Sequence, residues 1–284
     1  MTHFPTPGIA EKIVELLKTG PKKTADILKY FDNKNVTSQG IYKALRTLKN
    51  QQIVLVSKKE AVLNQSWLQD IQKFALLAEH AYRTPSGDGH FLQMGDGDKI
   101  TYEFKNPILV DAFWNHVLYV LFDALPNIDR WYAYASHNWF MIARKKEELS
   151  LRDYMNSREI KYLFTTGNKT PLDRAITKEF DGNMSQYYMR DSPLFENRPN
   201  NLGIVLNIIG DYIIEARYDK DITNKIEKFY KENKVITNEN IKELESIVSS
   251  PSKIRFIINR NKSKAKKLST LLEKNFYVGK KYYK

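Results

Sequence analysis

Residues 36–56 read VTSQGIYKALRTLKNQQIVLV, and two periodicities meet inside this stretch. Ile41, Leu45 and Leu48 recur at helical spacing, so a helix over 37–49 buries one stripe. Thr37 or Ser38 supplies the hydroxyl that accepts a hydrogen bond from an unpaired N–H of the first turn. Gln39, Tyr42, Lys43, Arg46 and Lys49 are left on the outward face. The pattern then changes. Residues 53–57, IVLVS, are rich in β-branched side chains and favour a strand. Residues 58–60, Lys-Lys-Glu, read as a turn and 61–63 as the returning strand.

Upstream, residues 8–18 place Ile9, Ile13, Leu16 and Leu17 on one helical face. Gly20-Pro21 breaks that helix. Thr24 is suited to cap a second helix over 25–31, with Ile27, Leu28 and Phe31 turned inward. Residues 32–36 are a polar turn. Three short helices followed by a hairpin resemble the winged helix-turn-helix domain of transcription regulators, and the quoted stretch matches its recognition helix and first wing strand. The resemblance covers residues 8–63. It implies a helix in the major groove of double-stranded DNA, read from the N-terminal part of that helix. Gln39 then suits adenine, and Arg46 or Lys43 guanine or phosphate. Thr37, Ser38 and Tyr42 carry hydroxyls suited to register-fixing phosphate contacts. Lys58 and Lys59 at the wing tip would lie over the backbone or minor groove. A winged helix used for protein contact is the alternative, and the basic outward face argues against it.

The charge is +12 over 284 residues, and it is concentrated at the ends. Residues 1–83 hold 13 Lys/Arg against 7 Asp/Glu, and residues 233–284 hold 13 against 4, while the stretch between them is slightly acidic. Basic ends are the electrostatic footprint of a protein that meets a polyanion. The absence of cysteine excludes disulfides, thiolate metal sites and thiol catalysis. No apolar run approaches the ~18 residues of a membrane span, and residues 1–8 lack a secretory layout. A cytoplasmic protein without integral membrane association is expected.

Catalytic and metal signals are sparse. His3, His80, His90, His116 and His137 share no metal-ligand spacing. No P-loop, dinucleotide fingerprint or Gly-x-Ser-x-Gly occurs. GDGDK at 95–99 reads as a turn, since it lacks the terminal Glu and flanking helices of a calcium loop. The aromatic run RWYAYASHNWF at 130–140 serves either as core or as a pocket lining. His137 accordingly either meets an anionic ligand or is satisfied inside the fold. No cofactor or metal is expected.

Residues 66–83 keep helical spacing, and 84–98 read as a flexible boundary rich in Gly and Asp. Beyond them strands and helices alternate. Strands are expected at 99–104, 131–135, 139–143, 160–165 and 184–189, with a hairpin of 202–209 and 212–218 about Gly210-Asp211. Helices are expected at 107–125, 144–158, 171–180 and 219–232. That is a mixed α/β region. SHNWFMIA at 136–143, KYLFTT at 161–166 and residues 204–230 give it a weak resemblance to phospholipase-D-like effector domains. Active members of that group use His-x-Lys. Here His137 is followed by Asn138 and Trp139, so the resemblance implies binding without that catalysis.

The last stretch holds a helix over 238–248, a strand over 253–259 and an amphipathic segment over 263–276. Ala265, Leu268, Leu271, Leu272 and Phe276 form its stripe, and Lys262, Lys264, Lys266, Lys267 and Lys274 crowd the rest. It adds phosphate contacts, lies on an anionic membrane surface, or packs its stripe on the middle region. Four parts are therefore expected. They are a winged helix-turn-helix at 1–64, a linker helix and loop at 65–98, a mixed α/β effector or dimerisation domain at 99–232, and a basic extension at 233–284. The function expected is a non-enzymatic, sequence-specific regulator of transcription that binds double-stranded DNA as a homodimer. Its effector, small molecule or protein, stays open. A plasmid-type replication initiator and a winged-helix antitoxin repressor are the alternatives. A nuclease would need clustered carboxylates or His-x-Lys, which the linear sequence does not display.

Overall fold

The computed structural model describes the chain except residues 1–3, 6, 33–35, 84–89, 126, 183, 191–193, 195–202 and 278–284, and the side chains of 79–83 and 90. The turn at 32–36 and the boundary at 84–98 thus fall partly outside the described residues. The chain divides into two compact units, Met1–Thr84 and Pro85–Lys284.

The first unit runs α1 (Ile9–Leu17), β1 (Lys22–Lys23), α2 (Thr24–Phe31), α3 (Ser38–Asn50), β2 (Val54–Ser57), β3 (Glu60–Leu63) and α4 (Gln65–Arg83). Its antiparallel sheet has the order β1-β3-β2. Ile13, Leu17, Ile27, Phe31, Ile41, Leu45, Leu48, Ile53, Val54 and Trp67 close one core. The stripe read on residues 37–49 is thus buried as a set. Strand β1 was not foreseen: two lysines carry no alternation, and the strand exists only through pairing with β3. Thr24 corrects a second expectation. The cap position of α2 is Lys23, without a side-chain cap bond. Thr24 instead donates twice to the Lys59 carbonyl, from its N–H at 2.8 Å and its hydroxyl at 3.0 Å.

The second unit is mixed α/β. It runs β4 (Lys99–Phe104), α5 (Pro107–Ala124), β5 (Arg130–Ala135), α6 (Trp139–Ala143), α7 (Lys145–Ser157), β6 (Lys161–Thr166), α8 (Pro171–Phe180), β7 (Ser185–Met189), β8 (Ile204–Ile209) and β9 (Tyr212–Arg217). It ends with α9 (Lys220–Glu232), α10 (Asn238–Ser249), β10 (Ile254–Arg260) and α11 (Lys262–Glu273). One sheet has the order β4-β10-β9-β8-β5-β6-β7, with β5, β6 and β7 parallel and the remaining pairs antiparallel. Trp131, Phe164, Ile214 and Phe256 belong to the large core on one face, together with residues of α5 to α10. On the other face Tyr132, Tyr134, Leu206, Ile208 and Ile213 pack with Ala265 and Leu272 of α11.

Three expectations are corrected here. Residues 139–143 form a helix, not a strand. Both edges of β5 are already taken, by β6 and β8, so a neighbouring strand has no place to pair. The backbone closes on itself instead, with the Met141 N–H donating to the Asn138 carbonyl at 3.0 Å. The stretch 233–284 is no appendage to the sheet: β10 lies between β4 and β9. Its alternate residues Ile254, Phe256 and Ile258 are buried in the main core, and the lysines that suggested a separate extension flank it. Finally, residues 90–93 of the expected flexible boundary form a 3-10 turn, with Phe91 and Met94 in that core.

Candidate nucleic-acid interface

Helix α3 begins where the Thr37 hydroxyl accepts the Gly40 N–H at 3.1 Å, so Thr37 is the cap and Ser38 the first helical residue. It ends where Gln52 turns left-handed, at φ 58°, and the Ile53 N–H reaches back to the Leu48 carbonyl at 2.9 Å. This closure satisfies a terminal carbonyl and turns the chain into β2. The Asn64 side chain holds the corner by donating to the Gln52 carbonyl at 2.7 Å.

Ile41, Leu45 and Leu48 of α3 are buried, and Gln39, Tyr42, Lys43, Arg46 and Lys49 are exposed. Gln39, Tyr42, Lys43 and Arg46 stand at i, i+3, i+4 and i+7, one face of a helix. The helix carries no acidic side chain. Ser57 pairs with Glu60, leaving Lys58 and Lys59 as a two-residue turn with φ of 48° and 66°. Positive φ at both central positions defines the tight hairpin turn that matches strand twist. Among the described residues, none of Lys43, Arg46, Lys49, Lys58 and Lys59 has an ion-pair partner. The structure thus attaches the helix and the hairpin tip to one core through β2 and the Thr24–Lys59 bonds. It also adds Lys22 and Lys23 of β1, placed opposite Ala61 and Glu60. No sequence signal marked these two, because their strand depends wholly on its partner.

In the second unit His137 is 3% exposed. Its Nδ1 lies 3.0 Å from Asp173 Oδ2, its Nε2 lies 3.2 Å from Glu227 Oε1, and its ring stacks on Tyr230 at 4.0 Å. Burial by itself would lower its pKa. Hydrogen bonds and charge from Asp173 and Glu227 outweigh burial and raise it to about 9, so the imidazolium form prevails at neutral pH. Of the two expectations for His137, satisfaction inside the fold is the one found, since both ring nitrogens are engaged. The sequence hid this carboxylate cluster because its members lie far apart in the chain. Trp131 and Trp139 line a cavity of about 30 Å³, and another of about 20 Å³ adjoins His137. Both are water-sized, so the aromatic run is core.

Residues 95–99 form the expected turn: the Gly95 N–H donates to Asp98 at 2.7 Å, and Asp96 accepts the Lys262 N–H at 2.9 Å. Among the described residues, no group of three His, Asp or Glu side chains is arranged to hold a metal ion. Among them, too, no helix is long and apolar enough to cross a membrane.

No protein-family model matches the chain. No curated protein matches it. Among solved structures it is similar to TrmBL2, described as an archaeal chromatin protein that shows a novel mode of DNA binding. Identity is 10%, the alignment covers 96% of this chain and 93% of that one, and the TM-score is 0.29, an overlap too low to decide fold or function.

Proposed function

We propose that the chain binds double-stranded DNA through its first unit, acting as a winged helix-turn-helix, and regulates transcription. One observation carries this reading: the exposed face of α3 presents Gln39, Tyr42, Lys43 and Arg46 with no acidic residue and no ion pair to neutralise them. Uncompensated cations beside an amide donor and acceptor match a phosphate-flanked base edge. Lys58 and Lys59 at the hairpin tip then meet backbone. The reading includes a homodimer, supported by the exposed Leu68, Phe74, Leu76 and Leu77 of α4. Sedimentation of the full chain as a monomer would overturn that part. It also includes the absence of catalysis, which phosphodiester turnover lost in His137→Ala would contradict.

The test is binding of the full chain to its selected duplex and to scrambled duplex over a salt series. Affinity should fall steeply with salt as counterions are released. Gln39→Ala or Arg46→Ala should cost about 1–3 kcal/mol on the selected site and little on scrambled DNA. Lys58→Ala with Lys59→Ala should weaken both alike. Salt-independent binding sinks the DNA reading, and altered specificity in the lysine variant alone would make the wing the reader.

A further inference from the structure

The second unit carries an open basic cleft of about 900 Å³ that the proposed DNA reader does not use. Its floor is one row of the sheet. Arg217 of β9 stands directly opposite Arg255 of β10, and Arg255 directly opposite Glu103 of β4. Lys220 opens α9 at one wall, Lys253 precedes β10, and Lys264 comes from α11. Five cations therefore line the cleft against Glu103 and Asp219.

The two carboxylates offset only part of this charge, and the cleft stays net cationic. Asp219 is engaged with the backbone, accepting the Ile222 N–H at 2.9 Å and the Lys253 N–H at 2.6 Å. Those bonds join the start of α9 to the start of β10 and preform the wall. Arg217 pairs with Glu215 on its own strand. Lys220, Lys253, Arg255 and Lys264 have no ion-pair partner among the described residues. Like charges directly opposite on neighbouring strands destabilise a sheet, and Arg217 and Arg255 stand about 4.8 Å apart in strand spacing. Glu215 already compensates Arg217, so Arg255 is the guanidinium left to take an anion. Guanidinium forks match phosphate oxygens in bidentate fashion, whereas lysines add point charge around them.

We propose that this cleft binds phosphate groups, supplied either by a free ligand carrying two or three phosphates or by the DNA backbone. The volume is that of a small-molecule site, but the lining is polar and cationic, which selects a hydrophilic anion. The site does not depend on α3 or the hairpin tip.

The test uses the full chain and two probes, inorganic tripolyphosphate by calorimetry at fixed ionic strength and duplex DNA by anisotropy. Arg255→Gln and Lys264→Gln are the variants; both side chains are exposed and unpaired, and thermal melts confirm folding. Lys146→Gln, on α7, is the control. Saturable tripolyphosphate binding that weakens about tenfold or more in Arg255→Gln, and also in Lys264→Gln, supports a free phosphorylated ligand. A duplex salt slope lowered by about one in each cleft variant supports the backbone as the source. Cleft variants that match wild type with both probes overturn the proposal, as does an equal loss in Lys146→Gln. Should the wild type ignore duplex DNA, the function proposed above fails while the tripolyphosphate arm still decides the cleft.

Discussion

Lys58 and Lys59 occupy the two positions of a tight hairpin where Asn and Gly are at home. Each lysine at positive φ costs on the order of 1 kcal/mol, from the approach of its Cβ to a carbonyl oxygen. The Ser57–Glu60 register and the Thr24 bonds to the Lys59 carbonyl hold the turn despite that cost. Lys58→Asn with Lys59→Gly should therefore raise stability by roughly 1–2 kcal/mol in a thermal melt. The same variant should weaken selected and scrambled duplex alike; unchanged binding would remove the tip from the interface. His137 gives a residue-scale prediction of another kind. Its folded pKa of about 9 exceeds the ordinary 6.5, so the folded state holds the proton more tightly. Its stabilising contribution is complete below about pH 6.5 and is lost as pH rises through about 9. Burial also raises the Asp111 and Glu148 carboxyls, which places their contribution in the same direction, with stability falling as pH rises. Urea midpoints of the second unit should decline from mildly acidic to alkaline pH, and His137→Gln should flatten the upper part of the curve. Midpoints that climb over that window would show the imidazolium reading to be wrong.

Among the elements, α3 separates by face the residues that carry stability from those of the proposed DNA contact. Ile41→Ala opens the buried stripe and should cost about 2–5 kcal/mol. Thr37→Ala removes the cap and should cost about 1 kcal/mol. Ile41→Ala should leave salt dependence of DNA binding unchanged at temperatures where the protein stays folded. Denaturant unfolding beside the binding assay checks this, and a salt slope that drops with Ile41→Ala would place that residue in the interface instead. Elements with a strong period of their own were legible: α3, α8, and the hairpin about Gly210-Asp211 emerge close to their expected bounds. Strand β1 and helix α6 were not. Lys22-Lys23 is too short to show a period, and Trp-Phe-Met-Ile-Ala suits a buried strand or a buried helix equally. The pairing available to each segment decided the matter.

At the scale of the whole molecule, the basic C-terminal stretch is part of the second unit's core. Removing residues 238–284 takes away β10 from between β4 and β9, along with Leu244, Val248, Phe256 and Ile258. It also uncovers Tyr132, Leu206 and Ile213, which pack with α11. The shortened chain should lose the cooperative unfolding transition of its second unit while retaining that of the first. Circular dichroism melts would show this, and an intact second transition would mean that β10 is dispensable.

The sequence by itself determined the three helices and hairpin of the first unit, the outward set from Gln39 to Lys49, the mixed α/β character of the second, and the turn at 95–99. These follow from local periodicity, capping and turn chemistry, which act over a few residues. Only the tertiary structure decided that Thr24 anchors the β2–β3 hairpin turn, that His137 lies between Asp173 and Glu227, and that Arg217 faces Arg255 across two strands. Each of these depends on strand order or on contacts between residues distant in the chain. Local spacing carries no record of which distant segment a strand will pair with, because pairing follows the burial of a whole sheet face.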